Sequence, residues 1–215
     1  MTLDAELRAF YEAHRHQIPA GTGEIMQRAD AELAASGQTD RALAVGAQAP
    51  RFALPSVTGE TVTLDRLLAE GSVVLTFYRG AWCPFCNLAL RSLQQHHAAI
   101  GERGAQLVAV SPQIPDESLS LAEKHDLDFT VLSDVGSDTA KAYGLAFDLP
   151  DDLAAAYDQL GFDLVRVNGG HRRTLPLPAT YVIDRTGTVR WGFVDTDYMK
   201  RAEPADIIAA LDALR

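Results

Sequence analysis

Hydrophobic and polar positions follow two regimes along the chain. Over residues 3–17, Leu3, Leu7, Phe10, Tyr11 and His14 fall at three- and four-residue spacings. This predicts an amphipathic helix that Pro19-Ala20-Gly21 ends. A second helix is predicted over 23–35, with Ile25, Met26, Ala29 and Leu33 on its apolar stripe and Gly37 as its stop. A polar connector over 36–41 has no hydrophobic period, and the character of the chain changes near Leu43. The expected organisation is therefore an N-terminal helical extension, 1–42, and a main domain, 43–215.

In the main domain, β-rich runs at 73–78, 107–111, 129–132, 179–183 and 189–194 alternate with helical stretches at 87–100, 117–125, 138–143, 153–160 and 205–214. Such alternation predicts an α/β fold whose sheet is at least partly parallel. The turn sequence Asp184-Arg185-Thr186-Gly187 makes the last two strands an antiparallel hairpin, and a smaller hairpin is expected from 52–54 and 61–63 around Thr58-Gly59. Residues 148–175 are the least regular part. There, Asp151-Asp152 suits a helix start and Asn168-Gly169-Gly170 a turn, as in an insertion that shapes a pocket or an oligomer contact.

Composition narrows the function classes. The chain has 215 residues, 47% hydrophobic and 22% charged, within the ordinary globular range. Its longest apolar run, 73–78 with Thr76 within it, is far short of the ~20 residues of a membrane-spanning helix. With 29 acidic against 19 basic residues the net charge is −10, so nucleic acid and anionic membrane are excluded as expected partners. The N-terminus lacks a cationic segment followed by an apolar one, which leads to the expectation of a cytoplasmic protein.

Both cysteines lie in Trp82-Cys83-Pro84-Phe85-Cys86. One C-x-x-C at a strand-to-helix junction reads as redox chemistry rather than as a disulfide scaffold. At a helix N-terminus, unpaired N–H groups and the helix dipole favour thiolate over thiol, and Pro84 suits the first helical turn. The spacing i, i+3 puts both sulfurs on one face, within the span of a disulfide. The bland alternative is a pair of small buried apolar residues. For zinc, the motif supplies two of four ligands, and His96 and His97 lie more than two turns away. Neither a metal nor a bound cofactor is expected. No Gly-rich phosphate loop is present, and His14, His16 and His125 read as surface groups.

Val45-Gly46-Ala47-Gln48-Ala49-Pro50 with Phe52 and Leu54, Gly59 with Val62-Thr63-Leu64, the run 73–78, and Pro178-Ala179-Thr180-Tyr181-Val182-Ile183-Asp184 with Gly187 occur in one order. They resemble the alkyl hydroperoxide reductase/thiol-specific antioxidant branch of the thioredoxin-fold superfamily, over roughly residues 43–215. Within it, the segment Arg79-Gly80-Ala81-Trp82-Cys83-Pro84-Phe85-Cys86 resembles that of peroxiredoxin-like proteins with Arg-Gly-x-Trp-Cys-Pro-x-Cys. The resemblance implies a thioredoxin-like, peroxiredoxin-type mixed sheet flanked by helices. It also implies a thiol-dependent peroxidase that reduces hydrogen peroxide or organic hydroperoxides through a Cys83–Cys86 dithiol/disulfide. An external thiol reductant, such as a thioredoxin- or glutaredoxin-type protein, is then required. The alternatives are a protein disulfide reductase and a redox-sensing binding module.

The chain departs from the family pattern P-x-x-x-T-x-x-C, in which the last cysteine attacks peroxide. Cys86 takes that place, Cys83 stands at the Thr and Arg79 at the Pro. Pro178 stands where the family has a strand Arg, and resembles the cis-proline of thioredoxins; it is predicted to be cis and to face the cysteine helix. Arg79 is a candidate for the missing positive charge. Trp82 is a candidate lid or a packing aromatic, and Arg172 and Arg173 are loop residues that either reach the site or stay solvated. Peroxiredoxin register makes Cys86 the attacking sulfur and thioredoxin register makes it Cys83. Its place at the helix tip makes Cys83 the expected exposed, lower-pKa thiol. The two N-terminal helices need a surface to pack on, which raises the expectation of a homodimer.

Overall fold

The computed structural model describes the backbone of residues 2–124, 126–171 and 173–214, and among them the side chains of all but 119–121, 123 and 124. His125 and Arg172, both considered above, lie outside the described residues. The chain begins with α1 (Leu3–His14), a 3-10 turn (Arg15–Gln17) and α2 (Ala20–Ala35). A small hairpin of β1 (Ala53–Pro55) and β2 (Thr61–Thr63) leads into α3 (Leu64–Glu70), β3 (Ser72–Phe77), α4 (Pro84–Gln95) and α5 (His97–Gly101). Next come β4 (Ala105–Ser111), α6 (Pro115–Lys124), β5 (Thr130–Ser133), α7 (Asp138–Ala142), β6 (Ala146–Asp148), α8 (Asp151–Gln159) and α9 (Leu164–Val167). The last elements are β7 (Thr174–Pro176), β8 (Ala179–Ile183), β9 (Val189–Val194) and α10 (Pro204–Asp212).

The central sheet has the order β5-β4-β3-β8-β9. β4 runs parallel to β3 and to β5, whereas β8 and β9 pair antiparallel, so the sheet is mixed as expected. Strand alternation assigns the two faces of β3. Val74 and Tyr78 pack with Val182 against Phe85, Cys86 and Leu90 of α4. Val73, Leu75 and Phe77 pack on the opposite face with Leu64, Leu67 and Leu68 of α3. A hydroxyl pair, Thr76 and Thr180 at 3.0 Å, bridges the central strands.

The extension folds onto the domain. α1 buries Leu3 and Leu7 in the cluster that also holds Cys83 and Phe85. α2 places Ala29 in a third cluster with Leu153, Ala154 and Tyr157 of α8. The least regular segment of the sequence and the extension therefore cover each other. The two N-terminal helices thus pack on the chain itself, with Phe10, Tyr11, Ile25, Met26 and Leu33 left partly buried.

One expectation is corrected outright. The described residues contain no cis peptide bond, so Leu177–Pro178 is trans. The chain runs on from β7 into β8, with the Leu177 N–H donating to the Leu145 carbonyl at 2.9 Å. No reversal occurs there that a cis bond would serve.

Candidate active site

β3 delivers the chain to the site, and the Tyr78 N–H just past its end donates to the Val110 carbonyl of β4 at 3.0 Å. Gly80 follows with φ +146°, where a Cβ would lie 2.4 Å from Trp82 Nε1, so glycine lets the indole fold back over the turn. Two side chains hold this turn from outside. The Ala81 N–H donates to Gln113 Oε1 at 2.6 Å, and Asn87 Nδ2 donates to the Ala81 carbonyl at 2.9 Å. Cys83 is the N-cap of α4, with φ −90° and ψ 112°, and Pro84 occupies the first turn. Cys86 sits one turn in.

Both thiols are free and buried, Cys83 at 2% exposure and Cys86 at 0%. The expectation of an exposed Cys83 at the helix tip is thus corrected, because α1, Trp82 and Tyr198 close over it. The expected order of acidity is reversed as well. Hydrogen bonding to Cys86, then burial, push Cys83 well above the ordinary thiol value. For Cys86 burial works upward, but the Cys83 thiol, the Arg201 guanidinium, the Arg79 backbone and the Arg79 charge together hold it well below that value. Arg201 Nη2 donates to Cys86 Sγ at 3.1 Å. Within the pair, the directed donors favour negative charge on Cys86 over Cys83.

Arg79 is 4% exposed and sits in a cage of aromatic rings, 4.9 Å from the centroid of Trp82, 5.2 Å from Tyr198 and 5.5 Å from Tyr157. Its Nη2 donates to the Tyr157 hydroxyl at 2.6 Å, while Nε is buried without a partner. Burial opposes the cation, but the Tyr157 oxygen and both cysteine sulfurs outweigh it and keep Arg79 charged. Two fixed cations therefore attend one thiolate. In the low-dielectric interior this arrangement favours an attacking sulfur anion and the anionic oxygen that leaves a cleaved O–O bond.

Cys83 lines a largely apolar cavity of about 290 Å³ with Phe10, Met26, Trp82, Phe85 and Tyr198; Cys86 does not line it. A second cavity, about 270 Å³, lies behind Arg79 and is lined by Asp30, Tyr157, Pro178 and Tyr198. Pro178 thus sits near Arg79 but away from the Cys83 cavity. Arg173 pairs with Asp158 at 2.6 Å and takes no part in either cavity.

The structure brings together Cys83, Cys86, Arg79 and Trp82, which are contiguous in sequence. Arg201, Tyr157, Tyr198 and Gln113 join them from distant segments that sequence reasoning missed. The one available signal was negative: with Pro178 at the strand position, a basic residue had to come from elsewhere among 19 candidates.

The comparisons with known proteins fit this geometry. Peroxiredoxin Q of Triticum aestivum is 26% identical over 178 residues, covering 83% of this chain and 71% of the wheat protein. The thiol-disulfide oxidoreductase ResA of Halalkalibacterium halodurans is 31% identical over 108 residues, covering 49% of this chain and 60% of that one. Among solved structures, peroxidoxin BcpB of Mycobacterium tuberculosis superposes with a TM-score of 0.65 at 25% identity, covering 80% of this chain and 99% of its own. Residues 45–192, more than half of the sequence, match the AhpC/TSA family as a whole, and the chain belongs to that family.

Proposed function

We propose that the protein is a thiol-dependent peroxidase in which Cys86 takes the peroxide oxygen and Cys83 closes the disulfide. The observation that carries this reading is the Arg201 donor on Cys86 Sγ at 3.1 Å, on the cysteine that occupies the family's peroxide-attacking position. The Cys86 thiolate attacks one oxygen of the hydroperoxide, the O–O bond breaks, and Cys86 becomes a sulfenic acid. The departing oxygen leaves as an anion beside Arg79 and takes the proton of the Cys83 thiol, giving water or an alcohol. Cys83, now a thiolate, attacks the Cys86 sulfur; the S–S bond forms and hydroxide leaves, to be protonated to water. Peroxide is reduced by two electrons and the dithiol is oxidised by two. An external thiol, of thioredoxin or glutaredoxin type, returns the disulfide to the dithiol by exchange. A cytoplasmic setting, with its reducing thiol pool, suits this cycle.

Peroxide consumption by the purified protein with a dithiol reductant tests the proposal. Continuous turnover of hydrogen peroxide or an organic hydroperoxide is expected, together with its loss in Cys86→Ser. Oxidation that stops after one equivalent contradicts it and favours a redox-sensing module. A second reading, disulfide exchange at Cys83, rests on Cys83 being the sulfur that lines the cavity. Reduction of insulin disulfides without peroxide consumption establishes that one instead.

A further inference from the structure

The segment between β9 and α10 touches both the reacting sulfur and the N-terminal helix. Arg201 Nη2 donates to Cys86 Sγ, while its Nη1 donates to the carbonyls of Tyr198 and Lys200, each at 2.7 Å. Two residues later, the Glu203 carboxylate accepts the backbone N–H groups of Leu3 at 3.0 Å and Asp4 at 2.7 Å. These are first-turn N–H groups of α1 that have no intrahelical acceptor, and a carboxylate at this end favours the helix dipole. Just upstream of both, Tyr198 packs on Phe85 with ring centroids 5.4 Å apart. The helix so fastened covers the site: Phe10 lies edge-on to Phe85 at 5.5 Å, and Phe10, Tyr11 and His14 line the cavity at Cys83.

This arrangement creates a steric problem for the reduction step. Exchange with a protein thiol needs that thiol's sulfur in line with the disulfide, yet Cys83 is 2% exposed and Cys86 0%. A surface cysteine of another folded protein does not reach either sulfur while α1 is in place. Disulfide formation changes what Arg201 faces. The anionic acceptor becomes a neutral disulfide sulfur, a poor acceptor for a guanidinium, so the Arg201 contact beneath residues 198–201 is weakened.

We propose that α1 is a redox-controlled cover, fastened through Arg201 and Glu203 while Cys86 is a thiolate and released when the disulfide forms. Release uncovers Cys83 and the apolar surface of Trp82, Pro84 and Phe85 to a partner of one kind, a protein carrying a surface dithiol. This inference rests on the redox role of the cysteine pair given above, but the oxidant does not have to be peroxide.

Hydrogen exchange on the full-length protein tests it, in the dithiol form and in the disulfide form made with diamide, with the thiol count fixed first by alkylation. Diamide separates this test from peroxidase activity, whose failure shows up in peroxide consumption alone. Amides of residues 3–14 are expected to exchange at least tenfold faster in the disulfide form. Glu203→Ala is expected to bring the dithiol form to the same fast exchange, and Phe10→Ala, which leaves the Glu203 contacts intact, to move it in the same direction. Equal protection of residues 3–14 in the two redox forms overturns the proposal, as does failure of diamide to form the disulfide.

Discussion

At the residue scale the site is a question of which sulfur holds the charge. Burial raises both thiols; the hydrogen bond between them lifts Cys83 and lowers Cys86, and the Arg201 guanidinium, which donates to Cys86 alone, adds to the asymmetry. Arg201→Ala is expected to move the Cys86 titration up toward the ordinary thiol value of 9.0, read by thiolate absorbance against pH in a Cys83→Ser background. The same change is expected to slow reaction with peroxide by roughly a hundredfold, the usual effect of removing one fixed donor from a developing charge. Folding that lowers the Cys86 pKa contributes stability that is present above pH 9.0 and lost as pH falls through the folded value. Urea unfolding of Cys83→Ser protein should therefore weaken as pH is lowered from 9, and the slope should flatten in the Arg201→Ala protein. Cys83, Cys86, Arg79 and Trp82 were legible in the sequence because one short segment carries them. Arg201 was not, since it meets Cys86 across 115 residues and nothing local marks it.

At the scale of elements, the principal strands and helices followed from periodicity, and the departures have local causes. α4 begins at Pro84 rather than 87, because Cys83 is already its N-cap, and it ends at Gln95, where His96 leaves helical geometry at φ −106° and ψ 3°. α3 was not foreseen; seven residues are too few to show a period, although Leu64, Leu67 and Leu68 are buried and Thr63 caps the Arg66 N–H. The irregular stretch gained order from the pairing of β6 with β7 and from α8 packing on α2, contacts that only the folded chain supplies. α8 matters to the site through Tyr157, whose hydroxyl accepts from Arg79 at 2.6 Å. Tyr157→Phe leaves that guanidinium nitrogen without its acceptor, a cost of about 1–3 kcal/mol for a buried polar group. The expected result is a lower urea midpoint with an unchanged m-value, together with a reduced peroxide rate. An unaltered rate would remove α8 from any part in positioning Arg79.

For the whole molecule, the alternation of elements foretold a mixed α/β sheet, but nothing in it showed that the extension folds back over the site. Asp30 shows the consequence. This α2 carboxyl lines the second cavity with Arg79 and Tyr198, and burial pushes it up to about 6 from 3.8, with Arg79 opposing and the Asp197 charge assisting. A carboxyl whose pKa rises on folding contributes stability below its unfolded value and loses it as pH climbs through the folded one, so Asp30 weakens the fold between pH 3.8 and about 6. Discounted for its partial exposure, the effect is about 1–2 kcal/mol. Asp30→Asn should raise stability at pH 7.5 by that amount and abolish the decline across the window, as read from chemical unfolding at a series of pH values. If the extension did not pack on Arg79 in solution, wild type and variant would show the same pH profile.

The division of labour between the two sulfurs is tested most directly by trapping sulfenic acid after a single equivalent of hydrogen peroxide, in Cys83→Ser and in Cys86→Ser. In Cys83→Ser, a dimedone-type probe followed by mass spectrometry should find the adduct on Cys86, with one peroxide consumed. In Cys86→Ser, neither adduct nor rapid consumption should appear. Sulfenic acid on Cys83 in the Cys86→Ser protein, formed as fast as on Cys86 in the other, would contradict the assignment of Cys86 as the peroxide-reactive thiolate.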